Sequence, residues 1–339
     1  MTKIATAIVL SFLCGFAARA QTDPPLKLQQ TIALPGVTGK FDHFSIDLTT
    51  DTLFAAVAGN HTVEVVDLKA GKVLQTITGL GKPHGLAWVP ETHRLYVADG
   101  TLAQLKVYQG SPLHTTGTLK LSDDADDMVY NPKNKMLYVG HGGSNAANPA
   151  RIAIVNTKDF ALTADLPVAA HPEALDLDVQ GQRIFTNIAD AAQVAVINGK
   201  THIIDATWKL TGVSDNVPMA YEAEQQVLFV ACRKPAVLLA LDANTGKEIA
   251  RLPVHADADD LFYDANLHRV YVITGAGAVD VYAIDSGKHL RSLGSIHTES
   301  GAKTGLFVPS RNALYVGVPG SASEPAQIRV YATNSGEAK

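Results

Sequence analysis

The sequence predicts an all-β fold, a seven-bladed β-propeller with four-stranded antiparallel blades, and three observations support this class. A unit of about 40 to 45 residues repeats seven times along the chain, and each unit holds four short segments rich in β-branched and aromatic residues. Gly-Lys turns follow several of the third segments, in AGK, TGK and SGK. No stretch carries the 3.6-residue hydrophobic period of a helix. A four-strand unit of this length is typical of a propeller blade.

The repeats align in a consistent register, which identifies the strands of every blade. The second strands read LFAAV, LYVAD, LYVGH, IFTNI, LFVAC, VYVIT and LYVGV. The innermost strands are predicted to begin at Phe44, Leu86, Met128, Leu175, Met219, Leu261 and Leu306, at intervals of 42, 42, 47, 44, 42 and 45 residues. The last unit lacks a fourth strand, whereas LKLQQTIAL precedes the first unit. We therefore expect the N-terminal strand to complete the last blade and close the ring, which removes an open sheet edge.

The repeat segments LYVADG, LYVGHG, VYVITG and TVEVVDLKAGK resemble the YVTN, or YncE-like, seven-bladed propeller repeats over residues 26–331. The segments FDHFSID, HPEALDLD, NVPMAYE, ACRKPA and DADDLFYDA are similar to an exported bacterial branch of that family. The resemblance implies the fold and no assigned activity, because propellers host unrelated functions.

The two ends of the chain and its composition limit where it acts and what it binds. Residues 1–20 have the layout of a cleavable signal peptide, which predicts a periplasmic or secreted protein whose single propeller domain spans residues 21–339, with a short flexible tail at 333–339. The net charge of -5 and the scattered basic residues argue against nucleic acid as a partner. No later segment is apolar enough to span a membrane, and we expect a monomer. Cys232 is the lone cysteine after the signal, so it forms no internal disulfide and is expected to be a buried apolar side chain.

Polar residues recur just before the innermost strands, which line the central channel of a propeller. The residues two places before these strands are Asp42, His84, Asp126, Glu173, Val217, Asp259 and Thr304. The residues one place before them are His43, Gly85, Asp127, Ala174, Pro218, Asp260 and Gly305. Positions about 42 residues apart thus become neighbours in a ring near one mouth of the channel.

A ring rich in carboxylates predicts a bound cation, because carboxylates so close together repel one another. The predicted metal ligands are Asp42, His84, Asp126, Glu173 and Asp259. Oxygen ligands suit Ca²⁺, Mg²⁺ or Mn²⁺, and the imidazoles also allow Zn²⁺. The structural alternative is that each aspartate accepts hydrogen bonds from nearby backbone N–H groups and holds adjacent blades together. The sequence leaves both interpretations open.

Further polar residues are expected to face the same mouth. Arg233 and Lys303 are predicted to bind an anionic group, and Asp127 and Asp260 are assigned to ligand binding beside them. His171 is expected to cap the turn before Glu173. The longest insertion, HGGSNAANPA, either covers the mouth or is an excursion without a role.

Three functions follow as hypotheses. The first is an exported propeller that binds a small molecule, a cation or a protein at the channel mouth. The second is a metal-assisted hydrolase or lyase acting on a lactone or sugar acid, with His43 or His84 as general base. The third is a scaffold that uses the blade rims. No nucleotide- or flavin-binding motif and no catalytic motif is present in a suitable context, so the sequence leaves open whether the protein is an enzyme.

Overall fold

The computed structural model describes residues 24–321 and 323–333, and these residues form a seven-bladed propeller of four-stranded antiparallel sheets. The predicted signal peptide lies outside the described residues. So does the predicted tail, apart from Thr333, which belongs to the last strand.

An N-terminal strand, β1 at Leu26–Leu34, precedes the first blade. In each of the first six blades, the four strands follow in chain order from the channel outward. Blades one to three consist of β2 Phe44–Asp47, β3 Thr52–Val57, β4 Thr62–Asp67, β5 Lys72–Ile77; β6 Pro83–Val89, β7 Arg94–Asp99, β8 Gln104–Gln109, β9 His114–Lys120; and β10 Met128–Asn131, β11 Met136–His141, β12 Arg151–Asn156, β13 Ala161–Pro167. Blades four to six consist of β14 Pro172–Leu177, β15 Arg183–Ile188, β16 Gln193–Asn198, β17 Ile204–Lys209; β18 Ser214–Glu222, β19 Val227–Lys234, β20 Ala236–Asp242, β21 Glu248–Pro253; and β22 Ala258–Asp264, β23 Arg269–Thr274, β24 Ala278–Ile284, β25 Leu290–His297. Blade seven contributes β26 Gly305–Val308, β27 Ala313–Val318 and β28 Ala326–Thr333. The helices of the described residues are short 3₁₀ turns at Ala58–Asn60, Ala189–Ala191 and Pro309–Arg311.

The N-terminal strand closes the ring, as predicted. β1 is the outermost strand of the seventh sheet and pairs antiparallel with β28, from Leu26 opposite Thr333 to Leu34 opposite Ala326. Ile32 and Leu34 of β1 are buried in the seam. The N-terminal strand and the C-terminal strands thereby share one sheet, so the ring has no open edge at this point.

Burial explains why the second strands give the clearest sequence pattern. All six residues of β3 are buried, whereas in β5, the outermost strand of the same blade, exposed residues alternate with more buried ones. Blades stack face to face, so the middle strands are covered on both sides. Aromatic pairs join neighbouring blades, with the rings of Phe185 and Tyr221 stacked at 5.5 Å.

β-Bulges displace the channel-facing residues from the regular ladder. The predicted starting residues all lie in the innermost strands, but five of those strands begin earlier than predicted. Four of them contain a register shift: between Pro83 and Leu86, Pro172 and Leu175, Asn216 and Met219, and Ala258 and Asp260. A bulge frees a residue from strand pairing and redirects its side chain. The bulges therefore fall on the ring positions that the sequence singled out.

Among the described residues, none of the helices has the length and hydropathy needed to cross a membrane.

Candidate functional site

A small polar cavity lies at one mouth of the central channel. Its volume is about 120 Å³. Its lining residues are Lys40, Phe41, Asp42, His43, His84, Asp126, Glu173, Ala174, Val217, Arg233, Asp259 and Lys303. The repeat register thus brings residues from all seven blades to a single cavity.

Imidazoles and carboxylates alternate along one wall of the cavity and continue behind it to His171. This group is here called the histidine–carboxylate array and consists of His43, Asp42, His84, Asp126 and His171. At its centre, His84 Nδ1 lies 2.8 Å from Asp42 Oδ2 and 3.3 Å from Asp126 Oδ1. His43 Nε2 lies 3.5 Å from Asp42 Oδ1, and His171 Nε2 lies 3.3 Å from Asp126 Oδ2. Each carboxylate therefore lies between two imidazoles.

Two glycines make room for His84. A Cβ atom on Gly85 would lie 2.4 Å from the carbonyl oxygen of Asp126, so glycine permits blade two to approach blade three. A Cβ atom on Gly100 would lie 3.0 Å from Cδ2 of the His84 ring. The ring is 6% exposed at its side chain, and its Nε2 atom has no hydrogen-bond partner among the described residues. The nearest carboxylate oxygen to Nε2, on Asp124, is 4.0 Å away.

The long insertion after β11 positions His171 and does not line the cavity. His171 Nδ1 donates to the carbonyl of Gly142, at 2.6 Å, if Nδ1 carries the proton. A Cβ atom on Gly143 would lie 2.9 Å from the backbone nitrogen of His171, so the loop packs closely on this residue. The ring then directs Nε2 at Asp126. His171 is thus a member of the array and more than the turn cap that was expected.

The array strongly perturbs the protonation of its central members. Burial alone would lower the pKa of His84, but the charges of Asp126 and Asp42 raise it above its ordinary value. Burial also opposes the charge on His171, yet the hydrogen bond and charge of Asp126 raise the His171 pKa to about 9. Conversely, His84 and His171 hold the pKa of Asp126 well below its usual range despite its burial. Protons on the imidazoles therefore balance the carboxylates in the absence of another cation.

Glu173 lies at the end of this wall, and its carboxylate has the fewest hydrogen-bond partners there. Burial and the charge of Asp126 raise its pKa to about 7, against the lowering effect of His171. Its side chain accepts no hydrogen bond from the described residues. One carboxylate oxygen of Glu173 lies within 4.8 Å of a carboxylate oxygen of Asp126 and of a ring nitrogen of His171.

The opposite wall of the cavity is cationic but internally paired. Arg233 donates from Nη2 to Asp259 and from Nε to the carbonyl of Ala258, at 2.9 Å. Lys303 Nζ lies 3.4 Å from Asp259 Oδ2 and 3.3 Å from Asp257 Oδ1. Burial raises the pKa of Asp259 to about 6, even though Lys303 and Arg233 act in the opposite direction. Asp259 is therefore held by cations of blades five and seven.

Asp127 and Asp260 join adjacent blades. Asp127 Oδ2 accepts the backbone N–H of Leu175 in the next blade, at 3.2 Å, and Asp260 Oδ2 accepts that of Gly305, at 2.7 Å. His43 lies between them, with Nδ1 3.1 Å from Asp260 Oδ1. Burial opposes its charge, but these two aspartates and Asp42 raise the His43 pKa well above its ordinary value.

Below these blade-joining aspartates the channel widens into a chamber of about 420 Å³ lined mainly by apolar and aromatic side chains. His43 lines both this chamber and the cavity at the mouth. The channel thus has a charged compartment and an apolar one.

The structure sorts the predicted site residues into groups. Asp42, His84 and Asp126, predicted as metal ligands, lie together, and Glu173 lies beside Asp126. Asp259, the fifth predicted ligand, lies against Arg233 on the opposite wall.

Two other sets of predicted ligand-binding residues have partners within the protein. Arg233 and Lys303, expected to be available to an anion, already contact carboxylates. Asp127 and Asp260, assigned to ligand binding, accept backbone N–H groups, as the structural alternative for the aspartates proposed. Asp257, which lies outside the ring positions of the repeat, also contacts Arg233 and Lys303.

No protein-family model matches the chain. A curated relative is the seven-bladed beta-propeller protein Rv1057 of Mycobacterium tuberculosis (strain ATCC 25618 / H37Rv), which is 26% identical over 144 residues. The matched region spans 42% of this chain and 36% of that protein. This likeness agrees with the seven-bladed architecture.

Solved structures with the same fold include a chain of the mitotic checkpoint complex, with a TM-score of 0.74, 12% identity and 98% of both chains covered. The RRP9 WD40 repeats have a TM-score of 0.76 at 11% identity, covering 90% of this chain and 97% of that chain. U3-55K has a TM-score of 0.75 at 12% identity, covering 89% and 98%. At such low identity these similarities show the fold alone.

Proposed function

We propose that this chain is an exported propeller that binds a divalent transition-metal ion at the channel mouth, with Asp42, His84 and Asp126 as ligands. The observation that carries the proposal is the position of His84 Nδ1, which lies 2.8 Å from Asp42 Oδ2 and 3.3 Å from Asp126 Oδ1. A metal ion ~2.1 Å from each ligand, with angles of 90–110°, separates the ligand atoms by roughly 3.0–3.4 Å. The Asp126 oxygen is at such a separation from His84 Nδ1, and the Asp42 oxygen would move outward by ~0.2 Å on metal binding.

A proton can occupy the same position as the metal, since these separations also suit hydrogen bonds. Metal binding would displace the proton shared between His84 Nδ1 and the two carboxylates. His43 and His171 lie at the outer sides of the same carboxylates and would support them as hydrogen-bond donors. Affinity for the metal is therefore expected to rise with pH through the neutral range.

The ligand types favour Zn²⁺ or Mn²⁺ over Ca²⁺ and Mg²⁺. The latter ions prefer oxygen ligands alone, whereas imidazole with carboxylate suits transition ions. Three protein ligands leave coordination positions open toward the cavity. The proposal that the protein is exported rests on the signal-peptide pattern of residues 1–20.

The experiment is to measure metal content by mass spectrometry and then to titrate chelator-treated protein with Zn²⁺, Mn²⁺, Ca²⁺ and Mg²⁺ by calorimetry. His84→Ala and Asp126→Asn should each reduce Zn²⁺ affinity at least tenfold. His114→Ala, which alters an exposed histidine on β9, is the matched control and should leave affinity unchanged. Equal affinities in all four proteins, or no binding of either transition ion, would overturn the proposal.

A second candidate is the metal-assisted hydrolase or lyase acting on a lactone or sugar acid. Glu173 favours it, because a carboxylate with a pKa of about 7 beside a metal position is suited to general-base catalysis near neutral pH. Metal-loaded protein should then open a simple lactone, and Glu173→Gln should abolish turnover while retaining the metal. Turnover that survives Glu173→Gln would exclude Glu173 as the base.

A further inference from the structure

The channel mouth has a second charged wall, formed by cationic side chains that face the histidine–carboxylate array across the same cavity. The cationic side chains in the lining are Lys40, Arg233 and Lys303, and the carboxylates are Asp42, Asp126, Glu173 and Asp259. The same lining also contains the imidazoles of His43 and His84, whose pKa values the neighbouring carboxylates raise. A divalent ion that replaces the proton at His84 Nδ1 adds net positive charge, so the metal-loaded mouth attracts an anion more strongly than the metal-free mouth does.

Arg233 has the geometry to hold such an anion. Its Nε and Nη2 atoms are fixed by Ala258 and Asp259, which orient the guanidinium plane. Its Nη1 atom donates no hydrogen bond within the described part of the chain, and its side chain is 26% exposed. Lys40 is exposed and has no carboxylate within 4.0 Å among the described residues. Unused donors thus remain on this wall after the internal ion pairs are counted.

The cavity also limits the size of the anion. Its volume of about 120 Å³ equals roughly four water molecules at ~30 Å³ each. A carboxylate with a few carbon atoms fits this volume. A planar carboxylate also matches the fork of donors on a guanidinium group.

We propose that the metal-loaded mouth binds a small carboxylate, with one oxygen on the metal ion and the other on Arg233. This inference rests on the proposed metal site, because the metal supplies both an open coordination position and the change in charge. Lys40 and Lys303 add attraction from the rim without fixing the geometry. The proposal specifies only the carboxylate end of the ligand. The rest of the ligand would project from the mouth.

The test uses full-length protein loaded with Co²⁺, whose visible spectrum reports changes in metal coordination. Acetate is the probe, and acetamide is its neutral control of similar shape. We expect acetate to change the spectrum saturably and acetamide to leave it unchanged. In calorimetry, metal-free protein should bind acetate about tenfold more weakly or not at all, because it lacks the open coordination position.

Arg233→Gln should weaken acetate binding about tenfold to hundredfold while leaving Co²⁺ affinity within twofold of wild type. Arg251→Gln, which removes an arginine paired with Glu248 on the outer strand β21, is the matched control and should change neither affinity. If Co²⁺ binds but acetate affinity is the same in Arg233→Gln, the carboxylate inference is wrong and the metal site stands. If Co²⁺ does not bind, both proposals fail.

Discussion

Asp260 offers a direct test of whether an aspartate at the channel joins blades or serves a ligand. Asp260 is 7% exposed, its Oδ2 accepts the N–H of Gly305 at 2.7 Å, and its Oδ1 pairs with His43. Asp260→Ala leaves a buried N–H without an acceptor, which costs about 1–3 kcal/mol. Loss of the His43 partner adds about 1 kcal/mol to this, so the free energy of unfolding should fall by roughly 2–4 kcal/mol.

The magnitude converts into a measurable change in Tm. An unfolding entropy of ~2.1 cal/mol/K per residue over 339 residues gives about 1.4 °C per kcal/mol, hence a fall of roughly 3–6 °C. Calorimetric melting of metal-free protein at pH 7 measures it. Asp260→Asn keeps an acceptor for Gly305 and should lose less than half as much.

Asp42→Ala is the comparison, because Asp42 is an aspartate proposed to bind the metal ion. Asp42 side-chain atoms contact His84 and His43 and accept no backbone N–H among the described residues. Its removal should therefore lower Tm by less than half the change seen for Asp260→Ala. A larger loss for Asp42→Ala than for Asp260→Ala in metal-free protein would refute the division of the aspartates into two roles.

Three further predictions concern protonation, space and reactivity. The stability of metal-free protein should decrease as pH rises from about 5 to 9: the folded state binds protons at Glu173 and His171 more tightly than the unfolded state, because their pKa values are raised to about 7 and 9. Urea midpoints across that range measure this, and a midpoint that rises with pH contradicts it. Gly100→Ala, which crowds the His84 ring, should lower Zn²⁺ affinity in calorimetry with little change in Tm; an unchanged affinity would contradict the tight fit. Burial raises the pKa of Cys232 to about 12, so peptide mapping should find this thiol unmodified by a disulfide reagent until the protein is unfolded, and rapid modification of native protein would contradict its burial.

Much of the fold could be predicted because the repeat carries redundant information. Every blade places the same apolar second strand between two neighbours, so LFAAV and its six counterparts mark the register even where single residues differ. The same register identified Asp42, His84 and Asp126 as neighbours, although they lie 42 residues apart in sequence. Because corresponding positions of successive blades are neighbours in space, the ring of polar residues could be predicted from the sequence.

The distribution of contacts within that ring depended on the tertiary structure. His171 reaches Asp126 because the insertion after β11 supplies the Gly142 carbonyl that orients its ring. Asp259 occupies the same repeat position as Asp126, yet Arg233 and Lys303 hold it on the opposite wall. These differences come from an inserted loop and from partners in neighbouring blades, and neither is visible in a pattern of residue types. The sequence thus specified which residues surround the channel mouth, while packing between blades decided which of them meet, because a hydrogen bond or a metal ligand requires positions correct to within a few tenths of an ångström.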